Sequence, residues 1–242
     1  MAGIFQKLKK DPYPFCTALV AAAGSSTRMG EDKMFVEVRG IPVLARTLQA
    51  LQCSESIREI VIAAREDMLV QVADLCNAYG IFKPVKVVVG GASRVESVLK
   101  AAMEANPQTK LFAVQDGARP FITPDLVNET VKTAGKCAAA APAIPVKDTV
   151  KVAQNRIVKE TPERKNLFAV QTPQVFDADL LKAALQAALA AKDESVTDDC
   201  SAVERIGKEV YLTEGLEENI KITTPFDLIL AGAIVDKRSG SL

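Results

Sequence analysis

The sequence predicts an α/β fold, a mostly parallel sheet with helices on both faces. Short apolar runs alternate with segments of helical period as far as Gly135. These runs are apolar along their length rather than at alternate positions, as suits strands buried on both sides. The chain has 242 residues, 48% hydrophobic and 25% charged, an ordinary globular composition long enough to bury a sizeable core in one domain.

Residues 1–15, MAGIFQKLKKDPYPF, carry lysines but no apolar stretch of a secretory signal, and read as an N-terminal extension. TALVAA (17–22) is the first strand. IPVLARTLQALQ (41–52) is a helix with Pro42 near its start. EIVIAA (59–64) is the second strand, and EDMLVQVADLCNAYG (66–80) a helix stopped by Gly80. PVKVVV (84–89) is the third strand. SRVESVLKAAMEAN (93–106) is a helix whose Ser93 and Glu96 form a capping-box pattern. LFAVQ (111–115) is the fourth strand, and TPDLVNETVKTAG (123–135) a helix with Thr123 as cap, Pro124 in its first turn and Gly135 past its end.

The rhythm breaks after residue 136. CAAAAPAIP (137–145) is apolar, and residues 146–170 alternate β-branched with polar side chains around a Gln154–Asn155 turn. This reads as two thin antiparallel strands, an arm at about 146–166 with little core of its own. Such a hairpin is marginal alone and is expected to pack against something, a second subunit being one candidate. Residues 177–192 and 198–208 return to helical period, EVYLT (209–213) and NIKIT (219–223) read as strands, and a last helix starts at Thr224–Pro225. The main domain spans 16–236, followed by a tail at 237–242, with no repeat or clear linker.

Lys+Arg and Asp+Glu both number 30, so no global field favours nucleic acid or a membrane surface. No apolar stretch is long enough to span a bilayer. The complete lack of histidine excludes Ser-His-Asp triads, histidine-ligated metals and a histidine general base. Cys16, Cys53, Cys76, Cys137 and Cys200 stand apart with no CxxC, as expected of reduced thiols in a cytoplasmic protein.

The loop after the first strand, AAAGSSTRMGEDK (21–33), holds Gly24 and Gly30, hydroxyls at Ser25, Ser26 and Thr27, and the cations Arg28 and Lys33. In an open α/β sheet ligands bind at the carboxyl ends of strands, and glycine-rich backbone amides can cradle phosphate. The loop is neither a Walker A motif nor a GxGxxG fingerprint. By spacing alone, a phosphate loop and a plain glycine turn both stand.

AAAG-x-x-x-R-M-G followed by lysine resembles the opening signature of nucleotidyltransferases that join a nucleoside triphosphate to a sugar or alditol phosphate. GGASRVESV (90–98), VQDGARPF (114–121), PVKDTVK (145–151), TPERKNLFAVQTPQ (161–174), SVTDD (195–199) and ENIKITTP (218–225) then occur in the order of the 2-C-methyl-D-erythritol 4-phosphate cytidylyltransferases. The resemblance covers about residues 16–236. It implies a single Rossmann-like nucleotidyltransferase domain with a mostly parallel twisted sheet and a protruding β-arm. The implied partners are CTP, a small polyol phosphate and a divalent cation such as Mg2+, in a cytoplasmic homodimer built through the arm.

By the same resemblance Arg28 and Lys33 stabilise the transition state, and Arg164 and Lys221 position the acceptor phosphate. Ala22, Ala23, Gly24, Ser25, Gly91, Ser97, Asp116 and Gly117 contact CTP. Asp116 would also hold the metal, and Arg119, Thr149, Arg164, Thr172, Thr197 and Lys221 would bind the acceptor. Relatives often carry Pro before this lysine, Asp after the second glycine of the GGA block and alanine after the metal aspartate, where this chain has Asp32, Ala92 and Gly117. A ribitol 5-phosphate cytidylyltransferase and a non-catalytic nucleotide-binding domain are the alternatives.

Overall fold

Strand β1 (Cys16–Ala21) takes the centre of the sheet because both its faces are apolar and both its edges are paired. It lies parallel to β4 (Ile57–Ala64) on one side and parallel to β6 (Leu111–Asp116) on the other. The computed structural model describes residues 12–24, 33–192 and 195–240. Between β1 and β4 come the short pair β2 (Glu37–Val38) and β3 (Ile41–Pro42), then α1 (Val43–Cys53). After β4 follow α2 (Leu69–Ala78), β5 (Val85–Val89) and α3 (Arg94–Met103). After β6 follow α4 (Pro124–Cys137), β7 (Ala139–Pro145), the hairpin β8 (Val152–Gln154) and β9 (Ile157–Glu160), β10 (Phe168–Val170) and β11 (Gln174–Asp177). The chain closes with α5 (Ala178–Ala190), α6 (Asp199–Arg205), β12 (Tyr211–Glu214) and α7 (Pro225–Arg238).

The sheet order is β10-β7-β11-β6-β1-β4-β5, with β12 parallel to β7. β10 and β11 are its antiparallel members. Strand parity divides the core in two. Cys16, Ala18 and Val20 of β1, with Ile60 and Ile62 of β4, face a cluster shared with α1, α2, α4 and α7. Leu19, Val61, Phe112 and Val114 face the other cluster, built with α3, α5 and α6. This is the two-faced burial expected of uninterrupted apolar strands.

Local rules hold at the helix starts. The Ser93 hydroxyl accepts from the Glu96 amide at 3.1 Å, and Thr123 accepts from Leu126 at 3.2 Å ahead of Pro124. Asp227 closes a capping box on Thr224. Elsewhere the structure differs from the sequence reading. Gly135 lies inside α4, and the left-handed terminal position falls at Ala138 with φ 68°. The hairpin turn is at Asn155–Arg156, both with positive φ, one residue later than expected. NIKIT is not a strand. Ile222 is buried, and its amide donates to Ala118 O at 2.8 Å, an isolated bond rather than a ladder. β8 and β9 are exposed along their whole length.

Candidate active site

β1 and β6 run in register, so Ala21 stands opposite Asp116 and both strands deliver their carboxyl ends to one place. The chain leaves β1 toward β4 on one side and reaches β6 on the other, so this is a switch point of the sheet, where a crevice opens. A cavity of about 440 Å³ lies there, lined by Ala23, Gly24, Lys33, Arg94, Asp116 and Lys221, with Gly91, Ser93 and Ser97 at the start of α3.

The turn before α3 is drawn tight around glycine. A Cβ on Gly90 would stand 2.6 Å from Ala23 Cβ, and one on Gly91 would overlap the Glu96 side chain. The Gly91 amide donates to Ser97 Oγ at 2.9 Å and the Ala92 amide to Glu96 Oε2 at 2.8 Å. Side chains of the first turn of α3 therefore hold the amides of the turn ahead of it in place. Gly117 is equally confined, since an added Cβ would meet Met34 Sδ at 3.1 Å and Leu44 at 3.2 Å.

Asp116 is the charge centre of the cavity. Its Oδ2 lies 2.8 Å from Lys221 Nζ and 3.4 Å from Arg119 Nε, and its Oδ1 lies 3.7 Å from Arg94 Nη2. Its amide donates to Thr172 Oγ1 at 3.2 Å. Burial pushes the Asp116 carboxyl up, but Lys221, Arg94 and Arg119 outweigh it and hold the group below the usual carboxylate range. Arg94 in turn donates from Nη1 to Oδ2 of the fully buried Asp199 at 2.6 Å. Burial opposes both charges of this pair. It drives the Asp199 carboxyl up, whereas Asp199 and Asp116 together outweigh it at Arg94 and keep the guanidinium protonated. The 2.6 Å geometry is that of a charge-assisted hydrogen bond, so we take Asp199 as ionised.

The structure thus brings together Ala23, Gly24, Lys33, Gly91, Ser97, Asp116 and Lys221 around one cavity. Thr172, Gly117 and Arg119 stand directly behind it, with Gly117 N donating to Ala21 O at 3.1 Å. Ala22 is buried in the core, its amide bonded to Ala63 O at 2.9 Å. Thr149, Arg164 and Thr197 are exposed and do not line the cavity, and Arg164 Nη1 donates to Lys147 O at 3.0 Å. Arg28 and Ser25 lie outside the described residues.

Sequence reasoning passed over Arg94 and Asp199. A signal for Arg94 was present: a cation in the first turn of a helix opposes the macrodipole, so an arginine there calls for an anionic partner. Among the described residues no group of three or more His, Cys, Asp or Glu side chains is arranged to hold a metal. Among the described residues lining the cavity Asp116 is the one carboxylate, a donor set that suits a cation taking most of its ligands from phosphates and water.

Over residues 16–237 the chain matches the family described as IspD: 2-C-methyl-D-erythritol 4-phosphate cytidylyltransferase. It is 41% identical over 226 residues to the 2-C-methyl-D-erythritol 4-phosphate cytidylyltransferase of Halalkalibacterium halodurans, covering 92% of this chain and 97% of that one. Its structure is similar to that of 4-diphosphocytidyl-2C-methyl-D-erythritol synthase from Anaerococcus prevotii, with TM-score 0.83 and 32% identity over 92% of this chain and 99% of the other. It is also similar to the 2-C-methyl-D-erythritol 4-phosphate cytidylyltransferase from Thermus thermophilus, with TM-score 0.73 and 31% identity over 91% and 98% of the two chains.

Proposed function

The chain belongs to the 2-C-methyl-D-erythritol 4-phosphate cytidylyltransferase family, and we propose from that premise that the cavity between the ends of β1 and β6 is where its reaction takes place. The protein transfers the cytidylyl group of CTP to 2-C-methyl-D-erythritol 4-phosphate, releasing pyrophosphate and 4-diphosphocytidyl-2-C-methyl-D-erythritol for isoprenoid synthesis. The observation that carries the siting is the convergence of Lys33, Arg94 and Lys221 with Asp116 on one cavity at the switch point of the sheet.

The chemistry suits a chain without histidine. A phosphate monoester is already an anionic nucleophile near neutral pH, so no base has to deprotonate it. What remains is to bring two anions into line and to stabilise charge around the α-phosphorus. Lys33, and Arg28 beyond the described residues, are assigned to the triphosphate. Lys221, paired with Asp116, is assigned to the acceptor phosphate. A Mg2+ ion, bound by Asp116 and phosphate oxygens, would supply further neutralisation of the triphosphate. Asp116 meanwhile holds the Lys221 ammonium at the cavity, 2.8 Å from its carboxylate.

The homodimer belongs to the same reading. Val152, Ile157 and Val158 of the hairpin are 48%, 63% and 54% exposed, an apolar surface that a second subunit would cover. Arg164, at the base of that arm, would then enter the partner's cavity. A cytoplasmic location is in keeping with the scattered thiols, of which Cys16, Cys76 and Cys200 are buried.

Two measurements test this. Pyrophosphate release is followed with CTP, Mg2+ and either 2-C-methyl-D-erythritol 4-phosphate or ribitol 5-phosphate, with UTP and ATP as controls. Turnover is expected with CTP and the methylerythritol phosphate, and turnover with ribitol 5-phosphate alone would overturn the acceptor. In the second, inactive Arg28→Ala and inactive Arg164→Ala chains are mixed. Heterodimers should recover activity in about one of their two sites, and a mixture as dead as its parents would refute a site shared between subunits.

A further inference from the structure

Lys221 lies on an irregular segment, yet its ammonium is placed within 2.8 Å of Asp116. Something other than a strand ladder must hold that segment. Two buried amide side chains do so. Gln171, between β10 and β11, is 5% exposed, and Asn219 is fully buried.

Gln171 pairs with the backbone of Leu216 as another strand would. Its Nε2 donates to Leu216 O at 2.7 Å, and its Oε1 accepts from Leu216 N at 3.1 Å. Asn219 Nδ2 donates to the same Gln171 Oε1 at 3.2 Å and to Thr172 O at 3.0 Å. Arg119, which contacts Asp116, donates from Nη1 to Asn219 O at 2.7 Å. Gly215 completes the closeness, since a Cβ there would stand 2.9 Å from both Ala143 O and Gln171 Oε1. The segment 215–219 is thus fastened to the sheet two residues before Lys221.

We propose that Gln171 and Asn219 form an amide clamp that positions Lys221, and with it the acceptor phosphate, for attack. This rests on the cytidylyltransferase reading above and adds two positioning residues to it. At Asn219 the clamp acts through the donor. Asn219 Oδ1 is buried with no hydrogen-bond partner among the described residues, so the side chain is held by Nδ2 alone. The same clamp holds Thr172, whose hydroxyl accepts from the Asp116 amide, so the acceptor side of the cavity is braced as a unit. The turn at Gly91, on the nucleotide side, is held instead by Ser97 and Glu96.

The test is a double-mutant cycle on the full-length enzyme. Asn219→Ala is expected to lower kcat/KM for the acceptor by about 10²-fold, the loss typical of an ångström-scale misplacement. The KM for CTP should stay within about twofold, because uniform nucleotide binding is untouched. In a Lys221→Ala background the same substitution should cost almost nothing more, because the group it positions is gone. A full repeat of the loss in that background, or an equal rise in the CTP KM, would overturn the clamp as a positioning device. Should Asn219→Ala fail to fold, Gln171→Glu, which removes the Nε2 donor at nearly constant shape, is put through the same cycle and judged alike. If the wild-type enzyme shows no turnover with CTP and the acceptor, the parent reading fails; turnover with an additive cycle removes the clamp alone.

Discussion

Asp116→Asn is expected to destabilise the fold by about 3 kcal/mol and to abolish most activity, because removing one partner of a buried ion pair leaves the others uncompensated. Here three cations share the carboxylate: Lys221, Arg119 and, at longer range, Arg94. Among the described residues, Arg94 is the one of the three with another acidic partner, Asp199. For a chain of this size the loss corresponds to a fall in Tm of roughly 6–12 °C, readable by circular dichroism. The sign with pH follows from the depressed carboxyl. Such a group contributes stability above its unfolded value, about 3.9, and that contribution is lost as pH falls through the folded value. The gap between wild type and Asp116→Asn should therefore be full at neutral pH and close only in strong acid. A gap that is constant down to acid unfolding, or a variant melting with wild type, would remove Asp116 as the charge centre.

Lys33→Ala is expected to lower kcat by about 10²–10³-fold, the usual cost of removing one preorganised charge from a developing anion. The acceptor KM should change by only a few-fold, since in the proposed assignment Lys33 serves the triphosphate and Lys221 the acceptor phosphate. Single-turnover measurements with saturating CTP separate the two. Unchanged turnover, or a loss confined to the acceptor KM, would assign Lys33 a binding role only.

Much of the fold could be read from neighbouring residues. TALVAA, EIVIAA and LFAVQ are strands because their side chains are apolar on both faces, and that pattern is local. Ser93, Thr123 and Thr224 start helices because capping is settled within four residues. β10 and β11 were not legible in the same way. Phe168–Val170 is exposed and becomes a strand only by pairing with Ala143–Pro145, far away in the chain. NIKIT misled for the opposite reason. Its alternation is that of a strand, but its backbone amides donate singly, Asn219 to Leu216 O, Ile222 to Ala118 O and Thr223 to the Asp227 carboxylate.

The site divides along the same line. By themselves, the residues determined the layered α/β class, the exclusion of histidine chemistry and the ordered blocks that mark the family, since each depends on composition or on short spacing. Only the tertiary structure decided which charges meet. The register of β1 with β6 puts Asp116 beside the first loop, the turn before α3 puts Arg94 between Asp116 and Asp199, and the clamp turns Lys221 inward. Coulomb energy falls with distance through space rather than along the chain, so an ion pair between distant residues has no local signature, and the sheet's switch point is what brings them within a few ångströms.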